Sequence, residues 1–471
     1  KEIRRYEEHE DRAVRRAALG ATTRLGDDNS EKLREFLGGD DHEARIVAVG
    51  VVGDLVLEEF LPEVADAIGD ITARPMVLEA LALLGKPAVP TMAGLLTRRD
   101  LSLPTRRSIV TALASIEGSA ARDSLIALAE EPALGPAAMN SLLRMRVAGR
   151  IDPIDPATLQ GTMEEEMAKG LRFSLAASGL RSMAGDNPEA IFVARELESL
   201  RTRSLHRVLR VLSLSYDTRR LSPVATALLS KDIARVSNAL ELLEGSISQD
   251  TAALVMPFME AAAENFPEWR TIELVPDAIT ILQNPGETLT NEKDWWPRSL
   301  GLHVLGRDDE ISTPGRHKNK ADDAQEDEAM IPLIEKVMIL KGSELFRNFP
   351  GPDLAGIASL AQVVYLEPDE VLFNQGEEGD AFYMVVQGGV RITRGATELA
   401  ILGTREGFGE MAILDQETRS ATATAAEATT LLRIGQDSFD QLIEQNPTVA
   451  RGIYRVLTER LRNTLEQVAA G

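Results

Sequence analysis

Between Arg15 and Gly118 the chain repeats a helical pattern: an Arg, a small or branched apolar residue three positions on, and a large apolar residue ten positions on. Four copies are present, Arg15/Ala18/Leu25, Arg45/Ala48/Leu55, Arg74/Val77/Leu84 and Arg106/Ile109/Ile116, with their last members 30, 29 and 32 residues apart. Positions so spaced share one face of a helix, and each copy therefore predicts one amphipathic helix. A second apolar helical pattern follows each first one, as in Leu61-Pro62-Glu63-Val64 and Ala88-Val89-Pro90-Thr91-Met92. A unit of about 30 residues made of two helices predicts a solenoid in which each repeat buries its stripe against its neighbours. Later helices are less periodic. Ile233-Ala234-Arg235 leading into Asn238 to Leu243 reads as another first helix of a repeat, and Trp295-Trp296-Pro297-Arg298-Ser299-Leu300 as the start of a terminal capping helix.

The texture then changes twice. From Arg307 to Glu328 apolar residues nearly vanish, Pro314-Gly315 sits mid-segment, and Asp, Glu and Lys dominate. That composition predicts a mobile linker, whose acidic run Asp322-Asp323 to Glu326-Asp327-Glu328 is a solvated spacer. Helical spacing returns from Ile331 to Leu340. From Val363 to Ile434 the chain breaks into short apolar runs separated by Gly, Asp and Glu clusters: Phe382 to Val386, Val390 to Thr393, Leu399 to Leu402, the alternating Ala421 to Thr424, and Leu431 to Ile434. Short strands at this spacing predict an antiparallel sandwich or barrel. Ile453, Leu457, Leu461 and Leu465, four apart, predict a closing helix against the barrel or a partner. The expected organisation is a helical repeat domain over 1–306, a flexible charged linker over 307–330, and an α+β domain over 331–471 with a β-roll or jelly-roll barrel and a C-terminal lid helix.

Composition narrows the function classes. With 471 residues the chain has room for more than one core, and 4% aromatic residues beside abundant Ala and Leu favour helix packing. The formal charge of −23 disfavours a broad nucleic-acid or anionic-membrane footprint. Without a single Cys there is no disulfide, thiolate nucleophile or Cys-ligated metal. No apolar run approaches the roughly 18 residues a membrane helix needs, and the charged start Lys1-Glu2-Ile3-Arg4-Arg5 is no signal peptide. A first residue that is not Met reads as part of a longer protein, whose remainder can include a membrane part. The five His residues, His9, His42, His206, His303 and His317, lack paired ligand spacing, so no metal site is expected.

The candidate chemistry lies in Phe408-Gly409-Glu410-Met411-Ala412-Ile413-Leu414, followed after an acidic turn by Arg419-Ser420-Ala421-Thr422. Gly409 permits close backbone approach, and a short helical turn over Glu410 to Leu414 would point free N–H groups at an anion. Arg419, opening a strand after the turn, brings a planar fork that suits a phosphate, and Ser420 adds a hydroxyl donor. A carboxylate next to a phosphate is repulsive unless it accepts from a ligand hydroxyl, so Glu410 with Arg419 reads as ribose plus phosphate.

These residues resemble the phosphate-binding cassette of cyclic-nucleotide-binding domains, whose pattern is Phe-Gly-Glu, any residue, Ala, then Arg, a small residue, Ala, and Ser or Thr. The likeness continues upstream through Leu345-Phe346, Leu372-Phe373, Gln375-Gly376-Glu377, Gly379-Asp380, Tyr383, Gly388 and Val390. It implies a ligand set of Gly409, Glu410, Met411, Ala412, Arg419, Ser420 and Ala421: backbone N–H groups of Gly409 and Ala412 on the cyclic phosphate, Glu410 on the ribose, Arg419 and Ser420 on the phosphate. Tyr454 and Leu457 of the closing helix are expected base contacts, with core packing as their competing reading. Two positions depart from the family: Gly389 stands where a charged residue is usual, and Arg405 replaces a common Gly. The N-terminal pattern resembles HEAT repeats with a shorter period. The order of the two parts resembles the cytosolic region of bacterial transporters similar to nucleotide (ADP/ATP) carriers.

Two other motifs compete. Gly407-Phe408-Gly409-Glu410-Met411-Ala412 formally matches a dinucleotide fingerprint, but a strand pattern follows where that fold needs a long helix. Val14-Arg15-Arg16-Ala17-Ala18 looks like a kinase pseudosubstrate, yet its Arg and Ala fall where the repeat requires them. No nucleophile elbow or metalloprotease helix appears, and no catalysis is expected. The expected function is a cytoplasmic receptor for cyclic AMP, with cyclic GMP less favoured, acting on a helical-repeat surface that engages a protein partner or an attached membrane transport domain. The alternative is a scaffold whose barrel binds no nucleotide. A DNA-binding role is disfavoured, because the chain ends directly after the closing helix and carries the wrong charge.

Overall fold

The computed structural model describes residues 3–24, 29–98, 100–129, 131, 133–230, 232–312, 331–343, 346–347, 349–409, 418–436, 454 and 458. Contacts group the chain into two compact units, one of residues 1–173 with 200–276 and the other of 174–199 with 277–471.

The first unit is helical. The expected first helices are Arg12–Arg24, His42–Leu55, Arg74–Leu84 and Leu103–Leu113, and the second apolar patterns form Leu61–Asp66, Ala88–Thr97 and Ser119–Leu128. Ala18, Ala48, Val77 and Ile109, the small or branched members of the pattern, are all buried, the last three in one core that runs from Leu19 to Phe266. The recurring Arg has a structural task. Arg15 Nη1 donates to His9 O at 2.8 Å, Arg45 Nε to Leu37 O at 3.2 Å and Nη2 to Gly39 O, and Arg74 Nε to Ile68 O at 3.1 Å. Carbonyls at the end of a helical segment lack intrahelical partners, and here a side chain from the next helix supplies the donor. Arg106 breaks the series, since its Nε is buried with no hydrogen-bond partner among the described residues. Arg16 forms a bidentate pair with Asp54 at 2.7 and 2.8 Å, so the pseudosubstrate-like Arg15-Arg16 is mid-helix and occupied.

In the second unit the strands are β1 (Gln362–Leu366), β2 (Val371–Phe373), β3 (Ala381–Gln387), β4 (Val390–Arg394), β5 (Thr397–Leu402), β6 (Gly407–Phe408), β7 (Thr422–Ala425) and β8 (Thr429–Gly435). All pairings are antiparallel, in two four-stranded sheets ordered β1-β8-β3-β6 and β2-β7-β4-β5. The sheets do not close into the expected barrel: β1 and β6 end one sheet, β2 and β5 the other. Closure needs a continuous ladder, and β2 and β6, at three and two residues, are too short to pair on both sides. The sheets share a core of Leu366, Ala381, Tyr383, Val385, Val390, Phe408, Ala423, Ala425 and Leu431.

Two strands explain themselves. In β7 Thr and Ala alternate, and the Ala residues face inward. In β3 the run Ala381-Phe382-Tyr383-Met384-Val385 is apolar throughout, and all five residues are buried. A continuous apolar strand needs cover on both faces. Tyr383 and Val385 join the sandwich core, while Phe382 meets Phe346 edge-on with ring centroids 5.6 Å apart.

The helices Leu333–Leu340 and Gly351–Ala358, which precede β1, belong to this unit with residues 188–199 of the helix Pro188–Ser215 and with Trp295–Val304. Glu196, its side chain 5% exposed, pairs with Lys341, 22% exposed, whose ammonium also lies 5.7 Å from the Phe192 ring centroid. At Gly351 a Cβ would come within 2.3 Å of Glu196 Oε2 and 2.4 Å of Trp296 Cζ2, so only Gly fits there. The linker expected over 307–330 is described only to residue 312, where Asp308–Glu310 forms a 3₁₀ turn and Arg307 holds Glu310 at 2.6 and 2.7 Å. Of the closing helix only Tyr454 and Thr458 are described, both helical. No helix among the described residues is long and apolar enough to cross a membrane.

Candidate functional site

β6 ends at Phe408 with Gly409 directly after it, and Arg419 stands three positions before β7. Gly409 has φ 79°, a left-handed conformation that a side chain disfavours. A Cβ there would lie 2.6 Å from Arg419 Nη1 and 3.1 Å from Ala381 O. The glycine is required on both counts, by its backbone and by the closeness of the guanidinium.

Arg419 is 5% exposed. Its backbone is pinned to the turn after β2: its N–H donates to Glu377 O and its carbonyl accepts from Gly376 N, each at 2.8 Å. Its guanidinium lies 4.1 Å from the Phe373 ring centroid and 5.6 Å from that of Tyr383, within cation–π range of both. Phe408 completes this aromatic bed, stacked on Tyr383 with centroids 5.5 Å apart and planes at 18°. Nη2 donates to Ala381 O at 3.0 Å and stands 3.7 Å from Asp380 Oδ1. Nε and Nη1 are buried and have no hydrogen-bond partner among the described residues.

Charge is incompletely matched. Asp380 is shared, because its Oδ2 also accepts from Arg433 Nη2 at 2.6 Å. Burial, the largest influence on Arg419, lowers its pKa below the ordinary arginine value against the pull of Tyr383 and Asp380, and a guanidinium so placed still stays protonated at neutral pH. At Arg433 burial also opposes the charge, but the Tyr383 hydroxyl and Asp380 outweigh it and raise the pKa. A buried donor left unpaired costs about 1–3 kcal/mol, more when charged. Two such N–H groups on one buried cation make a place that an anion would complete.

The other expected residues fall out as follows. Ser420 is exposed, and its carbonyl accepts from Arg394 Nε at 3.2 Å. Ala421, directly before β7, is buried. Glu410, Met411, Ala412 and Leu457 lie outside the described residues. Tyr454 is 67% exposed. Arg405, the departure from a common Gly, has φ 71°, the left-handed geometry for which glycine is favoured. Gly389, the other departure, is tied by its N–H and carbonyl to the Thr429 hydroxyl at 3.2 and 3.0 Å. Sequence reasoning did not place Phe373, Tyr383 and Asp380 around Arg419. Their signal was faint: Tyr383 sits in an apolar run that reads as core, and it is core on the same face that meets the guanidinium. Among the described residues no cluster of three or more His, Asp or Glu is arranged to hold a metal.

Residues 363–446 match the cyclic nucleotide-binding domain family, and this segment is a cyclic nucleotide-binding regulatory domain. The chain is 38% identical over 128 residues to the Cyclic AMP receptor protein of Thermus thermophilus, covering 26% of this chain and 59% of that one. It is 29% identical over 136 residues to the CRP-like cAMP-activated global transcriptional regulator of Mycobacterium tuberculosis, covering 28% and 61%. Among solved structures, the Thermus thermophilus Catabolite Activator Protein matches at 33% identity over 27% of this chain and 62% of that one, with a TM-score of 0.25. The likeness thus spans about three fifths of these curated relatives and about a quarter of this chain.

Proposed function

We propose that this protein is a cytoplasmic receptor whose domain binds a cyclic purine nucleotide, cyclic AMP in preference to cyclic GMP, and acts on the helical region. The observation that carries this reading is the buried Arg419 guanidinium, with Nε and Nη1 unpaired among the described residues and Nη1 close against Gly409 at φ 79°. A cyclic phosphate supplies the missing acceptors and the missing negative charge in one group. Glu410 takes the ribose hydroxyl, the backbone of Gly409 through Ala412 and the Ser420 hydroxyl take further phosphate oxygens, and Tyr454 and Leu457 close on the base. The preference for cyclic AMP is supported by the two curated relatives, both named for cyclic AMP.

The chain carries out no catalysis in this reading. Its helical region is a HEAT-like repeat array that serves as the output surface, a reading supported by the recurring Arg-to-carbonyl bonds at Arg15, Arg45 and Arg74. The regulated partner is a protein or an attached membrane transport domain; the order of the two parts and the stretch Asn238 to Leu243 support the latter. A ligand shifts such a coupled equilibrium only by its differential affinity for the two states.

Titration calorimetry with cyclic AMP and cyclic GMP tests the proposal. We expect saturable binding that Arg419→Ala abolishes and Arg419→Lys weakens strongly, because an ammonium cannot reproduce the planar fork. If neither nucleotide binds at micromolar concentration, or Arg419→Ala leaves the isotherm unchanged, the receptor reading fails and a scaffold reading replaces it.

A further inference from the structure

Two neighbouring pockets in the first unit share Glu260 and together make an open trough. Its floor begins on the helix Ile233–Glu244, where Ile233, Val236 and Leu240 recur at i, i+3 and i+7 and line it. Ile233 is 82% exposed, an unusual position for a β-branched apolar side chain directly after a good N-cap, Asp232. The floor continues past Ile247 to Met256 on the next helix, Gln249–Ala263.

The rim is acidic. Among the described residues, Glu244, Glu260 and Glu264 line the trough against one cation, Arg270. That cation is already engaged: Arg270 Nη1 bonds Glu260 at 3.0 Å, Nη2 lies 3.2 Å from Glu264, and the guanidinium is 5.2 Å from the Trp269 ring centroid. Among the described residues of the lining, carboxylates outnumber cations. Pro257 adds a backbone acceptor. It stands inside the second helix and has no N–H, so the carbonyl of Ala253 loses its i+4 donor, and both residues line the trough.

From these features we infer that the trough docks a cationic amphipathic helix of a protein partner, with apolar side chains on Ile233, Val236, Leu240 and Met256 and flanking Lys or Arg on Glu244 and Glu260. Helix-in-groove recognition reads such i, i+3, i+7 anchors, and the acidic rim selects the sign of the flanks. An anionic membrane or a nucleic acid meets repulsion at the same rim. The docking stands on the trough itself; its role as the output of nucleotide binding rests on the function proposed above.

The test uses the full chain and a fluorescein-labelled helical peptide of roughly 18 residues, with Leu at i, i+3, i+4 and i+7 and Lys on both flanks. Fluorescence anisotropy is expected to show binding that weakens about tenfold or more for Ile233→Asp and severalfold for Glu244→Lys, and that falls with added salt. Both side chains are exposed, so thermal midpoints should stay at the wild-type value and keep the comparison valid. No binding, equal binding of a scrambled or Glu-flanked peptide, unchanged affinity of Ile233→Asp, or preferential binding of phosphatidylserine vesicles overturns the inference. Repeating the titration with saturating cyclic AMP separates the two proposals. Peptide binding that ignores the nucleotide supports docking and overturns its role as output, whereas calorimetry alone judges the nucleotide site.

Discussion

Replacing Lys341 by Met tests how residues 188–199 are held to the helices that precede the sandwich. In the wild type the Glu196 carboxylate is 5% exposed, and its Oε2 already lacks a hydrogen-bond partner. Lys341 supplies the neutralising charge through Oε1. Methionine preserves most of the stem's volume and its packing on Phe192 but leaves a buried, unpaired carboxylate. Removing one partner of a buried pair costs about 3–5 kcal/mol. Because Lys341 is 22% exposed and water reaches the vacated end, we expect a smaller loss than that, about 2–3 kcal/mol. For a unit of this size that lowers the thermal midpoint by roughly 5–10 °C. Trp296, fully buried beside Glu196 at Gly351, reports the transition by its fluorescence in a urea titration. Glu196→Gln with Lys341→Met should be more stable than Lys341→Met alone, because no charge is left stranded. If Lys341→Met falls within about 0.5 kcal/mol of wild type, or the double variant loses the sum of the two single losses, the reasoning is refuted.

Further expectations follow from single positions. Gly409→Ala should cost about 1 kcal/mol of stability through its left-handed φ, and should weaken cyclic AMP binding at least tenfold because the Cβ displaces Arg419 Nη1; calorimetry beside a thermal melt separates the two effects. Arg405→Gly should be neutral or stabilising by up to about 1 kcal/mol, since φ 71° suits glycine, and a clear loss in urea titration would contradict that account. At Asp70 burial pushes the carboxyl pKa up, but bonds from His42, Arg45 and the N–H groups of Ala73 and Thr72 outweigh it and lower the pKa from 3.8 to about 2. The folded value is the depressed one, so this stabilisation is complete above about pH 4 and is lost as pH falls through about 2; it amounts to about 2 kcal/mol. Asp70→Asn should therefore lie below wild type at pH 6, with the gap closing toward pH 2 in parallel denaturant titrations; a gap independent of pH would exclude the mechanism.

Local signals carried much of the architecture. The alternation in Ala421 to Thr424, the apolar run Phe382 to Val386 and the Arg-led amphipathic stretches were legible because each element's own side chains state which face is buried. Gly409 and Arg419 were legible as a pair because a left-handed turn and a planar cation restrict residue choice at each position taken alone. β2 and β6 were not singled out: at three and two residues they have no periodicity and exist only because β7 and β3 offer them hydrogen bonds. The helix Pro156–Ala184 showed weak periodicity because Leu159, Met163, Met167, Leu171, Phe173, Leu175 and Leu180, all buried, do not keep to one stripe.

What the chain determined by itself is therefore the type of the long elements described and the candidate pair Gly409 and Arg419, both of which depend on neighbours in sequence. Only the tertiary structure decided that Phe373 and Tyr383 lie under the Arg419 guanidinium, that the sheets stay open, and that residues 174–199 and 277–306 group with the sandwich through contacts such as Glu196 with Lys341, 145 positions apart. Those outcomes depend on which surfaces meet after folding, and hydrophobic and ionic partners are interchangeable in sequence until geometry brings one pair together.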